Sequence, residues 1–83
     1  MNDSNFQHGP CLREYVRHVV QQYLADMATT PPDNMHKLFV DEVEKPLIET
    51  VLEHTGGNQS RAAGILGITR STLRARIKRY GLD

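Results

Sequence analysis

Six of the ten basic residues in the chain, Arg61, Arg70, Arg74, Arg76, Lys78 and Arg79, lie between Asn58 and Leu82, and no Asp or Glu interrupts them. Cations gathered in this way suit phosphate neutralisation, and an arginine can also give two parallel hydrogen bonds to a guanine edge. At the roughly 100° per residue of an α-helix, Leu73, Ile77 and Tyr80 share one stripe. Arg70, Arg74 and Lys78 flank it on one side, and Thr72, Arg76 and Arg79 on the other. Two basic edges bordering an exposed strip suit a helix lying between two phosphate backbones, with its first residues turned to base edges. A face that is merely solvated would mix charges of both signs.

These side chains need a scaffold, and the surrounding residues supply one. Gln59 to Leu66 reads as a short helix, Gly67-Ile68-Thr69 as a turn, and Arg70 to Tyr80 as a second helix that Gly81 can close. Ala62 and Leu66 face inward, Ala63 lets the second helix pass close to the first, and Ile68, Leu73, Ile77 and Tyr80 continue the core. This is the spacing of a helix-turn-helix, a scaffold that lays its second helix in the major groove. One position departs from the pattern: Arg76 stands where an apolar residue is expected, and Ile77 beside it takes that role. At the start of the first helix, Asn58, Ser60 and Arg61 surround free backbone amides and the positive end of the helix dipole, a setting suited to phosphate. Asn58 serves equally as a helix cap.

Two further helices precede this pair. Leu12, Tyr15, Val16, Val19, Val20, Tyr23, Leu24 and Met27 recur with helical period, which predicts a helix over about residues 12–28 behind a flexible arm at 1–11. Thr29-Thr30-Pro31-Pro32 breaks it, and Asp33 or Asn34 is expected to cap the next helix, over about 35–54. The apolar spacing continues through Pro46 without a shift, favouring one kinked helix over two. Apolar residues on this helix span too wide an arc for one neighbour, so a second subunit is expected on the other side. The fold expected is all-α, with four helices in a single domain over 12–83: residues 12–55 for dimerisation and 58–83 for the helix-turn-helix.

The run from Gly57-Asn-Gln-Ser-Arg61 through Leu82, with Glu42-Val-Glu-Lys-Pro-Leu47 and Leu12-Arg-Glu-Tyr-Val16 upstream, resembles the Fis family of small bacterial nucleoid-associated proteins. The resemblance covers about residues 12–83. It implies an intertwined homodimer whose two recognition helices lie closer than one turn of B-DNA, so that bound DNA bends and sequence-dependent deformability enters the affinity. It also implies that Asn58, Ser60, Arg61, Thr69, Arg70, Thr72, Arg74, Arg76 and Lys78 are the DNA contacts, with Arg70 and Arg74 on base edges and the others on phosphates. RNA polymerase is a further partner compatible with such a regulator. Thr69 and Ala75 stand where well-studied members carry an asparagine and a lysine. Residues 1–11 hold no hairpin pattern of the kind members use to activate DNA invertases.

Composition bounds the rest. A chain of 83 residues, 39% hydrophobic and 24% charged, is expected to form one cytosolic globular domain without a separate cofactor domain. No apolar run approaches the ~20 residues of a membrane span, and no signal-peptide pattern opens the chain. Cys11 is alone, so no disulfide forms within the chain, and stability in so small a domain favours oligomerisation. His8, His18, His36 and His54 lack metal-ligand spacing, and Glu42, Glu49 and Glu53 read as a helix surface without a nucleophile or phosphate loop beside them. Gly64-Ile-Leu-Gly67 is similar to the clamping loop of KH domains, which require a sheet, and none is readable. No enzyme, metal, cofactor or small-molecule ligand is expected.

The net charge of zero is a cancellation: residues 1–57 hold four basic and nine acidic residues, net −5, and residues 58–83 six basic and one acidic, net +5. The expected function is a homodimeric, sequence-tolerant DNA-binding and DNA-bending regulator of the nucleoid. A dimeric protein-interaction module with a scaffold-only helix-turn-helix, and the free-standing output domain of a larger enhancer-binding regulator, are the alternatives.

Overall fold

A computed structural model describes residues 10–27 and 33–83, and four helices account for most of them: α1 (Pro10–Asp26), α2 (Met35–His54), α3 (Gln59–Leu66) and α4 (Arg70–Tyr80). No strand occurs among the described residues, in keeping with the all-α expectation. The chain divides into two compact units, one ending at Asp33 and the other running from Asn34 to Asp83.

In the first unit, α1 begins at Pro10, two residues before the expected start, so the proposed arm loses Pro10 and Cys11 to the helix. The reason is local. A first-turn residue has no intrahelical partner for its amide, so proline loses nothing there, and its fixed φ suits the helix. The helix ends at Asp26, with Met27 N–H bonded to Tyr23 C=O at 3.0 Å. Leu12, Tyr15, Val16 and Leu24 are exposed on it. Residues 1–9 and 28–32, including the rest of the arm and the Thr-Thr-Pro-Pro breaker, lie outside the described residues.

In the second unit, α2 runs unbroken through Pro46. The expected side-chain cap at its start is absent: Asn34 occupies the cap position at φ −133°, ψ 33° and makes no capping hydrogen bond. Its backbone lies away from the extended conformation that aims a cap oxygen at the first amides. Instead its carbonyl accepts from Leu38 N–H at 3.1 Å.

The helices α2, α3 and α4 pack mutually around a small core of Ile48, Ala62, Ala63, Leu73 and Ile77, with Val51, Leu52, Leu66, Ile68, Tyr80 and Leu82 half-buried at its edge. Leu73 and Ala62 are fully buried. Full burial of a leucine is worth about 1.5–3 kcal/mol, and the alanines let the helix backbones approach closely enough to achieve it. Two turns fix the path between helices. Thr55 Oγ1 donates to Leu52 C=O at 3.1 Å, and Gly57 N–H closes back on Leu52 C=O at 2.9 Å, ending α2. Gly67, at φ +73°, ends α3: its N–H bonds to Ala63 C=O at 2.9 Å, and Ile68 N–H reaches the same carbonyl at 3.1 Å. The left-handed backbone at Gly67 turns Ile68 back onto the core, the apolar contact that accompanies such a helix end.

Candidate nucleic-acid interface

Each helix of the α3–α4 pair starts from a side chain that caps it. Asn58, extended at φ −77°, ψ 101°, accepts from Arg61 N–H through Oδ1 at 3.0 Å. Thr69, at φ −75°, ψ 157°, accepts from Thr72 N–H through Oγ1 at 3.1 Å, and its own hydroxyl lies 2.9 Å from Thr72 Oγ1 and 3.2 Å from Ser71 Oγ. Thr69 thus caps α4, a role beyond the turn and the DNA contact expected of it, which the sequence signals through a threonine directly before a helical run. Both helix starts carry no acid in their first turn, so the amide-rich, partly positive ends stay uncompensated.

The structure separates the expected contact residues into three groups. Asn58, Ser60, Arg61, Thr69, Arg70, Arg74 and Lys78 are exposed. The guanidinium groups of Arg61, Arg70 and Arg74 and the Lys78 ammonium have no ionic partner among the described residues. Thr72 is half-buried beside the cap. Arg76 differs from all of these: it is half-buried, and its Nε donates to Glu44 Oε1 on α2 at 3.1 Å.

That bond belongs to a network between α2 and α4. Tyr80 Oη donates to Glu44 Oε1 at 2.6 Å and has Asp41 Oδ1 as a second acceptor at 3.0 Å. Arg79 pairs with the same Asp41 oxygen at 3.1 Å, and Lys37 holds Asp41 Oδ2 at 2.9 Å. The Arg79 guanidinium also lies 5.6 Å from the centre of the Tyr80 ring. The Lys37 hydrogen bond, opposed by burial and helped by Tyr80 and the charge of Arg79, holds the Asp41 carboxyl below its ordinary value. The hydrogen bond to the Glu44 carboxylate, then burial and Asp41, push the Tyr80 hydroxyl well above its own. The signal in the sequence was Arg76 itself. An arginine at an inward-facing position requires a carboxylate opposite, and Asp41 and Glu44 lie on the same face of α2 as buried Ile48.

Among the described residues no group of three or more His, Cys, Asp or Glu is arranged to hold a metal ion, and no helix is long and apolar enough to cross a membrane. What the arrangement offers instead is two capped helices joined by a glycine turn, the second packed against the first and presenting a row of unpaired cations.

This is a helix-turn-helix protein. Residues 39–80 match the family described as bacterial regulatory protein, Fis family. The chain is similar to the DNA-binding protein Fis of Glaesserella parasuis, 44% identical over 71 residues, covering 86% of this chain and 72% of the relative. It is likewise similar to the Fis protein of Photobacterium profundum, at 42% over 72 residues (87% of this chain, 74% of the relative). A putative Fis-like DNA-binding protein of Xylella fastidiosa is 48% identical over 71 residues, covering 86% of this chain and 79% of the relative. The chain belongs to the Fis family.

Proposed function

We propose that this protein binds and bends double-stranded DNA as a homodimer and acts as a transcriptional regulator in the bacterial nucleoid, in the cytoplasm, through binding and not catalysis. The observation that carries the reading is the edge formed by Arg70, Arg74 and Lys78, three exposed and unpaired cations at four-residue spacing on the second helix of a helix-turn-helix. Arg70 and Arg74, near the start of α4, reach base edges. Asn58, Ser60, Arg61, Thr69, Thr72 and Lys78 hold phosphates, while Arg76, already paired with Glu44, stands apart from them.

Support for the homodimer comes from α2. Val40, Val43 and Leu47 are exposed on a stripe turned roughly 100° around the helix from Ile48, so the face that packs the helix-turn-helix leaves them uncovered. Two copies joined there would carry two basic ends, and the −5 and +5 segments of the chain would keep the acidic part away from DNA. Recognition helices spaced more closely than one turn of duplex would then bend it, which is the basis of the regulatory role and of any contact with RNA polymerase.

Binding to a duplex measured against salt tests the reading. Contact with roughly 6–10 phosphates lowers affinity by about 10³–10⁵ between about 50 and 200 mM salt, and a flat response would refute it. Arg70→Ala and Arg74→Ala should each cost a preferred site about 1–3 kcal/mol more than random DNA. Sedimentation at micromolar concentration reports the dimer, and circularly permuted sites report the bend.

A further inference from the structure

We propose that Asp41 and Glu44 are positioning residues that set DNA specificity: by holding Arg79 and Arg76 against α2, they leave Arg70, Arg74 and Lys78 as the cations of α4 that engage DNA. The inference rests on the DNA-binding function proposed above and deepens it.

Five cations lie on α4, and by sequence they form two edges of one exposed strip. In the folded unit the edges are unequal. Arg76 Nε is bonded to Glu44 at 3.1 Å, and Arg79 is paired with Asp41 at 3.1 Å. Arg70, Arg74 and Lys78 meet no carboxylate among the described residues. A guanidinium in contact with a carboxylate presents a dipole rather than a charge to a phosphate some ångströms further away. It condenses little counter-anion of its own and does not act as a full neutralising charge on DNA.

The acids are themselves fixed. Tyr80 Oη lies between them, 2.6 Å from Glu44 and 3.0 Å from Asp41, and Lys37 holds the remaining oxygen of Asp41. Three groups from the last turns of α4 therefore meet two acids three residues apart on α2. The network does two things: it seats the C-terminal half of α4, and it removes two positive charges from the edge that the helix would otherwise offer. Phosphate contacts of that edge would add affinity for any sequence, so withholding them favours the base-reading edge.

Isosteric neutralisation separates charge from shape. In Glu44→Gln the carbonyl oxygen can still accept from both Arg76 and Tyr80, which share Oε1; in Asp41→Asn it can still accept from Arg79 and Tyr80, which share Oδ1, while the amide nitrogen replaces the oxygen that faced Lys37. In both variants the arginine charge is released. Each variant should steepen the slope of log K against log salt on a random duplex by about 0.9 per released arginine per protomer, tighten binding to that duplex, and reduce the ratio between preferred and random DNA. Arg79→Gln should leave the slope of the otherwise native protein unchanged, yet abolish the gain in the Asp41→Asn background. Arg74→Gln, on the free edge, should lower it by about 0.9 per protomer in either background. A merely structural network would instead weaken binding to both DNAs without steepening the slope.

An unchanged or shallower slope in both acid variants overturns the proposal, as does an Arg79→Gln loss equal to that of Arg74→Gln in the native background. The latter comparison holds even if an acid variant fails to fold. If the native protein itself shows no salt dependence, the DNA-binding function falls first. If that dependence and the Arg74→Gln loss are present, failure of the other arms condemns the positioning role alone.

Discussion

Gly64 and Gly67 lie three residues apart, and alanine at the two should have opposite effects on stability. A Cβ added at either position meets nothing within 4 Å, so neither substitution is decided by a clash. Gly64 lies inside α3 with ordinary helical backbone, where glycine is about 0.8–1 kcal/mol worse than alanine. Gly64→Ala should therefore stabilise the fold by about 0.4–1 kcal/mol, much of it by restricting the unfolded chain. Gly67 sits at φ +73°, ψ 30°, where an L-residue pays roughly 1–2 kcal/mol. The restriction of the unfolded chain offsets about 0.4–1 of this, leaving Gly67→Ala destabilised by about 1 kcal/mol. With a urea slope of about 1 kcal/mol/M for a small protein, the two unfolding midpoints should differ by about 1–2 M. The comparison needs one protomer concentration throughout, since the midpoint of the proposed dimer would depend on it. Gly67→Asn should fall between Gly67→Ala and the native protein, because asparagine tolerates the left-handed region better. If Gly67→Ala unfolds at or above the native midpoint, the conformation of Gly67 does not limit the turn, and the account of how α3 hands over to α4 is wrong.

Three other outcomes follow from the cap of α4 and from the network behind it. Thr69→Val removes the oxygen that accepts from Thr72 N–H and should cost about 1 kcal/mol in chemical denaturation, while a Thr69→Ser variant keeps most of it. The raised Tyr80 hydroxyl contributes stability that is complete below the unfolded value of 10.0 and is lost as pH rises beyond it; melting temperatures should fall more steeply in that window for the native protein than for Tyr80→Phe. For Asp41 the sign is reversed: its lowered carboxyl contributes above the unfolded value of 3.8 and loses that contribution as pH falls below it, so Asp41→Asn should flatten the acid limb of the same curve.

The features readable from the sequence are those made by neighbours in sequence. Asn58, Gly67 and Gly81 punctuate the chain through bonds three to five residues long, which is why the bounds of α3 and α4 match expectation and the inward positions of Ala62, Ala63, Leu73 and Ile77 do too. Pro46 was legible as a helix interior because apolar spacing continued across it. Asn34 misled because residue type alone does not give the backbone conformation that aims a cap. The cluster of Asp41, Glu44, Arg76, Arg79 and Tyr80 joins residues 32 to 39 apart, so it depends on how α2 crosses α4, and no local pattern encodes that. Only the arginine in an apolar place hinted at it.

The same cluster makes α4 a beam with two supports. Leu73, fully buried, pins the helix near one end, and Tyr80 with its flanking arginines pins it near the other, seven residues and about 10 Å along. A load applied sideways at Arg74 and Lys78 acts between these supports, with Arg70 one turn outside them, so the helix resists rolling about its own axis and passes the force into α2. The three-residue turn is relieved of that torque, and the stiffness of α2 governs how far the two ends of the unit can yield.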